Sequence, residues 1–416
     1  MKRAIAALLL AAAPAAAQDH AHHADSSAVR VGVRAQAIPI VTHTAPTVDN
    51  ESRTEAQLTQ PVVMAHASAW GGRASLAATL NLEALTIPGG EPNPGIWGEG
   101  FVDRRHPHTV LHEAVATFSP LGGPHARREL SVSAGRGFVP FGTDDPMARP
   151  FVKFPANHHL AQVLERLMAQ AAVRGGPVVL EAALFAGSEP FGTGDLGDVG
   201  RFGDSWAVRG TLLPGEGWEA SVGYASINSP EEPRGVGLDH HKLAASLRYE
   251  ADRGPAERTY ALVEWARTDE LNGSLRSFRL ASVLAEGAVR RRGAEVALRL
   301  ERTDRPEEER TRDPFRTTFP HPDVHLLGVT RWSIATLHLS HGVGPAGPLR
   351  VRPFVEGSYI GAEQLLTPSA FIPTEFYGTN RLWTVALGAR IELGGSHPRM
   401  GRYGGAARHS LHRSSP

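Results

Sequence analysis

The run Arg128-Glu129-Leu130-Ser131-Val132-Ser133-Ala134-Gly135-Arg136-Gly137-Phe138-Val139-Pro140-Phe141-Gly142 sets the terms on which the rest of this chain is read. It opens as a strand and then breaks at Pro140-Phe141-Gly142 into a long polar excursion ending at Asn157-His158-His159. Two apolar-alternating runs follow, joined at Arg174-Gly175-Gly176-Pro177. The spacing of Leu160, Val163, Leu164, Leu167, Met168 and Ala171 is helical. We read it as a short helix that gives way to a strand by about Leu167, which hairpins at Gly175-Gly176 into Val178 to Ala186.

Period two extends outward from this stretch. Trp218, Ala220, Val222 and Tyr224 alternate with Glu219, Ser221 and Gly223. Val296, Leu298 and Leu300 alternate with Glu295, Ala297, Arg299 and Glu301, and Val385 to Leu393 behaves likewise. A strand crossing an outer membrane needs one apolar face toward lipid and one polar face toward a lumen, which is this signature.

The connections fall into two classes that alternate. Gly71-Gly72, Gly175-Gly176, Pro214-Gly215-Glu216, Asp252-Arg253-Gly254, Arg290-Arg291-Arg292 and Gly342 to Pro348 are short. Those near Thr42 to Gln60, Ile87 to Pro107, Val139 to Leu160, Gly187 to Arg201, Asn228 to Asp239, Thr303 to Pro322 and Leu365 to Asn380 are long, with Thr268 to Gly273 a compact member of that class. Short turns on one side and long loops on the other predict an all-β fold, a transmembrane antiparallel barrel of about sixteen strands. Fourteen is the alternative, because the first strand, Val29 to Val41, contains Pro39. Trp218 and Tyr249 are expected at the short-turn rim, and Trp265 and Tyr359 near the long-loop rim.

The ends and the composition agree with export. Lys2 and Arg3, the apolar run Ala4 to Ala13 and Ala15-Ala16-Ala17 read as a signal peptide over residues 1–17, too short an apolar run to span a bilayer. Residues 18–27, with His20, His22 and His23, form a His-rich tail, residues 28–393 the barrel, and residues 394–416 a basic, His-rich tail expected to be disordered. There is no cysteine, so disulfides and thiolate metal sites are excluded. Basic and acidic residues number 43 each, and no field argues for nucleic acid. No phosphate loop, dinucleotide fingerprint or nucleic-acid motif occurs, and no cofactor is expected.

The stretch Gly135 to Gly142, a strand opening through Pro140-Phe141-Gly142 onto a charged loop, resembles the start of the third loop of bacterial outer-membrane porins, most closely the phosphate-selective type. The resemblance covers roughly sixty residues and implies a loop that folds inward to narrow a channel. It would bring Asp144, Asp145, Arg149, Lys153, His158 and His159 across a narrow aqueous gap, where low-dielectric walls focus their field on solutes. The anion selectivity of that family does not carry over. Its lumens are lysine-rich, whereas this chain has only Lys2, Lys153 and Lys242. It instead offers Arg248 with Glu250, Arg299 with Glu301, Arg352 with Glu356 and Arg390 with Glu392 as pore-lining pairs. Such a lumen suits weak selectivity or a zwitterionic solute.

The expected function is passive diffusion of small hydrophilic solutes across the outer membrane of a Gram-negative-type bacterium. Outer-membrane lipid and lipopolysaccharide would surround the barrel, and a homo-oligomer is an open alternative. Two other readings stand beside it. His106 and His108 with Asp103 could share a metal ion, and the His-rich N-terminal tail invites comparison with copper-resistance outer-membrane barrels. His108 and His112, four residues apart on a strand, lie about 13 Å from each other, too far to share one ion. His338-Leu339-Ser340-His341-Gly342 resembles the His-x-Ser-Asn-Gly run of outer-membrane phospholipase A, which implies a base and nucleophile pair. The asparagine is His341 here, and no polar orienter is apparent on the next strand.

Overall fold

The computed structural model of the protein describes residues 29–47, 50, 52–86, 109–122, 126–143, 146–163, 165–190, 192–254, 257–308, 326–343, 347–367, 369, 371–394 and 399–409. Among them sixteen strands form one closed antiparallel barrel. The first eight are β1 (Arg30–Ala45), β2 (Arg53–Ala69), β3 (Ala74–Asn81), β4 (Leu111–Leu121), β5 (Arg128–Gly137), β6 (Arg166–Gly175), β7 (Val178–Ala186) and β8 (Phe202–Leu212). The second eight are β9 (Trp218–Ile227), β10 (Asp239–Gly254), β11 (Glu257–Asn272), β12 (Leu275–Arg291), β13 (Ala294–Glu308), β14 (Leu326–His341), β15 (Leu349–Gln364) and β16 (Arg381–Leu393). Each strand pairs with its sequence neighbours, and β1 pairs with β16 from Ala35↔Leu393 to Ala45↔Trp383. Closure leaves the sheet no edge, which in hydrocarbon would strand unsatisfied amides at several kcal/mol each.

Side-chain alternation decides which face is which. On β11, Ala261, Val263 and Trp265 are exposed while Tyr260, Leu262, Glu264 and Ala266 are buried. On β13, Val296, Leu298 and Leu300 are exposed while Glu295, Arg299 and Glu301 are buried. Apolar outside and charged inside inverts a water-soluble protein and fits a wall set in lipid. Aromatic pairs mark both rims. Trp218 and Tyr249 lie opposite each other in register with ring centroids 4.9 Å apart at the short-turn end, and Tyr359 faces Trp383 toward the other end.

Pro39 does not cost the barrel a strand, and the fourteen-strand alternative falls. On the β2 side the register slips between Gln36 and Ile38, and on the β16 side pairing passes from Ala37 to Ile40. The missing amide hydrogen therefore falls at a bulge, where the ladder is already interrupted. Turn chemistry fits the short side. Arg292 (φ 51°) and Gly293 (φ 86°) form the two-residue link from β12 to β13, both left-handed as a twist-matched hairpin requires. The helical spacing after His158 resolves as expected, into a one-turn helix His158–Ala161 followed by β6.

The expectation of a disordered C-terminal tail is corrected over residues 399–409. Met400, Arg402 and Tyr403 are buried, and Gly404–His409 forms a short 3₁₀ helix. The low hydropathy that suggested disorder is matched here by polar partners on the inner wall. Residues 1–28, where a signal peptide and a His-rich tail are expected, lie outside the described residues, as do residues 395–398 and 410–416.

An arginine at Val263, on the lipid face near mid-strand, should lower barrel stability by about 2–4 kcal/mol, whereas one at Thr259, near the rim, should cost under about 1 kcal/mol. Denaturant unfolding in lipid vesicles measures both.

Candidate functional site

The described residues between Phe138 and Glu165, which join β5 to β6, run inside the barrel. Val139, Phe141, Phe151, Val152 and Phe154 are all buried, which a loop standing out in water would not achieve. A chain crossing a lumen has no sheet partner for its amides, and inward carboxylates take them. Glu356 on β15 accepts the amides of Val152 and Lys153 at 2.8 and 2.7 Å. Glu301 on β13 accepts the amide of Ala156 at 2.7 Å. Glu264 on β11 accepts the Asn157 side chain at 2.7 Å and the Thr143 hydroxyl. Guanidinium groups serve the carbonyls. Arg299 donates to Lys153 O at 2.8 Å, and Arg390 donates to Phe151 O and Arg149 O at 3.0 and 3.3 Å. The loop is thus fastened to several strands at once.

Its charged residues do not all face an aqueous gap as expected. Arg149 is 2% exposed, with its guanidinium 3.4 Å from Glu264 and 3.7 Å from Glu286 on β12. Burial opposes its charge, but Glu286 and Glu264 outweigh that and hold the group above its ordinary pKa. Lys153 and His158 are buried too, and His158 Nδ1 lies 3.0 Å from Pro155 O. The carbonyl of His159 accepts from Lys242 on β10. Arg149, the Lys153 backbone and the His159 carbonyl fasten the loop to the wall, whereas the His158 contact lies within the loop. Asp144 and Asp145 lie outside the described residues.

All eight residues expected to line the pore fall on the inner face by alternation, but only two of the four pairs are ion pairs. Arg248 contacts Glu250, which also takes Arg258 at 2.7 Å. Arg299 is 3.9 Å from Glu301 but binds Glu286 more closely, at 2.7 Å, and stacks over Phe151 at 4.1 Å. Arg352 instead donates to Gly293 O at 3.2 Å, and Glu356 holds the loop amides and His338. Four residues along a strand span about 13 Å, so Arg352 and Glu356 share a face without touching. Arg390 is turned to the loop carbonyls, and Glu392 is half-buried beyond it.

The tail fills another part of the lumen. Tyr403 donates to Glu113 on β4 at 2.7 Å and accepts from the Phe138 amide at 3.1 Å, so it touches the root of the inward loop. Burial, and then Glu113, push its phenol well above the usual pKa. Met400 packs with Phe138, Met147 and Phe154 of the loop and with Val62 and Met64 of β2. Sequence reasoning missed Glu264, Glu286 and the tail. Both carboxylates sit at inward positions. Glu264 takes Asn157 and Thr143 from more than a hundred residues away, whereas Glu286 pairs with Arg299 and Tyr260 on adjoining strands and meets only Arg149 at long range.

His338 has an orienting carboxylate that the sequence reading lacked. Glu356 lies directly across from it in register, with Oε2 2.8 Å from Nδ1. Ser340 Oγ makes no hydrogen bond, however, and His338 is stacked on Phe354 inside the barrel. The base and nucleophile are not engaged. His106, His108 and Asp103 lie outside the described residues, and among the described residues no group of three or more His, Asp or Glu is placed to hold a metal ion.

With this geometry in hand, comparison with known proteins bears on the fold. No family model matches the chain, and no curated protein matches it. Among solved structures it is similar to the anion-selective porin from Comamonas acidovorans, at 13% identity over 88% of this chain and 100% of that one, with a TM-score of 0.51. It is also similar to OmpT, an outer membrane protein of Vibrio cholerae, at 10% identity, 89% and 98% coverage and a TM-score of 0.46. Pseudomonas aeruginosa OccK2, solved with glucuronate, aligns at 13% identity, 87% and 98% coverage and a TM-score of 0.39. The fold is therefore a distant porin-type barrel of sixteen strands, as the loop sequence implied.

Replacing Glu356 by alanine leaves two loop amides without their acceptor, at about 1–3 kcal/mol each. Trypsin cleavage after Lys153, which Phe154 follows, should accelerate by about tenfold or more, with Glu356→Gln intermediate.

Proposed function

We propose that this chain is an outer-membrane channel through which small hydrophilic solutes diffuse passively. One observation carries the reading: a closed cylinder, apolar outside and charged within, is narrowed by its own inward loop. An apolar exterior has no use in water, and a charged interior has none in a dry core. A solute passing the loop exchanges part of its hydration for Arg and Glu side chains alternating around the wall. Because both signs are interspersed, no single-sign field rejects either ion class. Zwitterionic solutes, which meet complementary groups at each end, suit it best.

The same reading sets the wall among outer-membrane lipid and lipopolysaccharide and allows contact between copies of the barrel. It takes the leader at residues 1–17 as the export signal. The loop is the constriction, with Glu264, Glu301 and Glu356 as its fastenings and Arg149 and Lys153 as buried anchors.

Recording from the purified chain in a planar bilayer tests the proposal. Discrete, stable conductance steps are expected, with a reversal potential near zero in a KCl gradient. Glu264→Ala, which unties Thr143, Asn157 and Arg149, should raise the step size. Silence from both folded proteins would overturn the channel reading.

A further inference from the structure

Residues 399–405 lie against the inner wall as a ligand lies in a site. Arg399 places Nη1 2.8 Å from Glu219 Oε2 and Nη2 2.9 Å from Oε1, and Arg402 Nη2 adds a contact of 2.7 Å to Oε1. This is a bidentate guanidinium fork with a second guanidinium sharing one oxygen. The nearby wall arginines are engaged elsewhere. Arg248, opposite Glu219 in register on β10, turns to Glu250, and Arg209 on β8 forks onto Glu181 at 2.7 and 2.8 Å. The ion-pair partners of Glu219 thus come from the tail, not from the barrel.

The backbone between the two arginines is seated as closely as their side chains. Gly401 O accepts from Arg209 at 3.0 Å, and the Gly405 amide donates to Ser131 Oγ on β5 at 3.0 Å. A Cβ at Gly404 would fall 2.1 Å from Ser131 Oγ, and one at Gly401 2.9 Å from the Phe138 Cβ. Both glycines also have positive φ, at 53° and 75°. Only a chain that is slim at these points reaches Glu219. The seat lies one residue into β9, next to the short turns, on the side where β16 ends and the tail begins.

We propose that Glu219 is the centre of a binding seat for guanidinium-bearing solutes, arginine and short arginine-containing peptides, and that Arg399 and Arg402 are its tethered competitors. The planar fork selects guanidinium over ammonium, because lysine offers a point charge where two parallel donors are needed. A tethered group acts at an effective concentration in the millimolar range, so a free solute displaces the tail only when abundant or when it carries both guanidinium groups. This deepens the channel reading by naming a solute class, and the binding itself can be measured without any current.

The probe is the acetylated, amidated tetrapeptide Arg-Met-Gly-Arg, titrated calorimetrically into folded barrels in detergent. Gly404→Leu should evict the tail sterically. The double change Arg399→Ala and Arg402→Ala vacates the seat without steric change and carries the test should the leucine variant fail to fold. Either should bind the peptide at least tenfold more tightly than the full natural chain, and adding Glu219→Gln should weaken that binding at least tenfold. A lysine-for-arginine version of the peptide should bind more weakly. Equal affinity with the tail seated or displaced, or indifference to Glu219→Gln, overturns the proposal. Bilayer recording on the same proteins separates the two readings. Glu219-dependent binding without current supports the seat and removes the channel, whereas current without such binding keeps the channel and removes the seat.

Discussion

A peptide amide in hydrocarbon must find its partner within the protein, and this chain meets that demand by joining β1 to β16. From closure the other features follow. The alternation that puts Val263 and Trp265 outside necessarily puts Glu264 inside, and repeated around sixteen strands it yields an oily wall and a charged lumen from one period-two sequence. Pro39 survives in β1 because it sits where the ladder already skips.

The same demand returns inside the lumen in a different form. The loop between β5 and β6 brings bare backbone into a narrow space, and the wall answers with carboxylates for its amides and guanidiniums for its carbonyls. Each such carboxylate has a second partner on the wall or loop, Glu264 in Arg149, Glu301 in Arg299 and Glu356 in the His338 ring. Buried charge of this kind adds little net stability compared with an apolar filling, but losing one partner strands the other, at about 3–5 kcal/mol. The arrangement therefore fixes one loop position firmly without making the lumen apolar.

Strand number was legible because alternation in β9, β13 and β16 and the two classes of connection are local signals. The inward course of the loop was legible through the run Gly135 to Gly142. Its fastenings were not, since Glu264 meets Asn157 across 107 residues and Glu356 meets Val152 across 204. The supposed Arg352 and Glu356 pair was avoidable: strand spacing alone separates them, the same reasoning that parts His108 from His112. The tail read as disorder because composition reports what a segment lacks in apolar surface. It says nothing of a carboxylate waiting elsewhere for an arginine.

That tail imposes an order on assembly. Tyr403 meets Glu113 across 290 residues and Arg399 meets Glu219 across 180, so its resting place is built from strands on the far side of the chain's history. Contacts this distant in sequence form late, after the loop-closure entropy has been met by the pairing of the strands. The segment that follows the final strand is therefore the last to find its place, and a barrel caught before that moment is complete in its wall yet vacant along the β4, β5, β8 and β9 side.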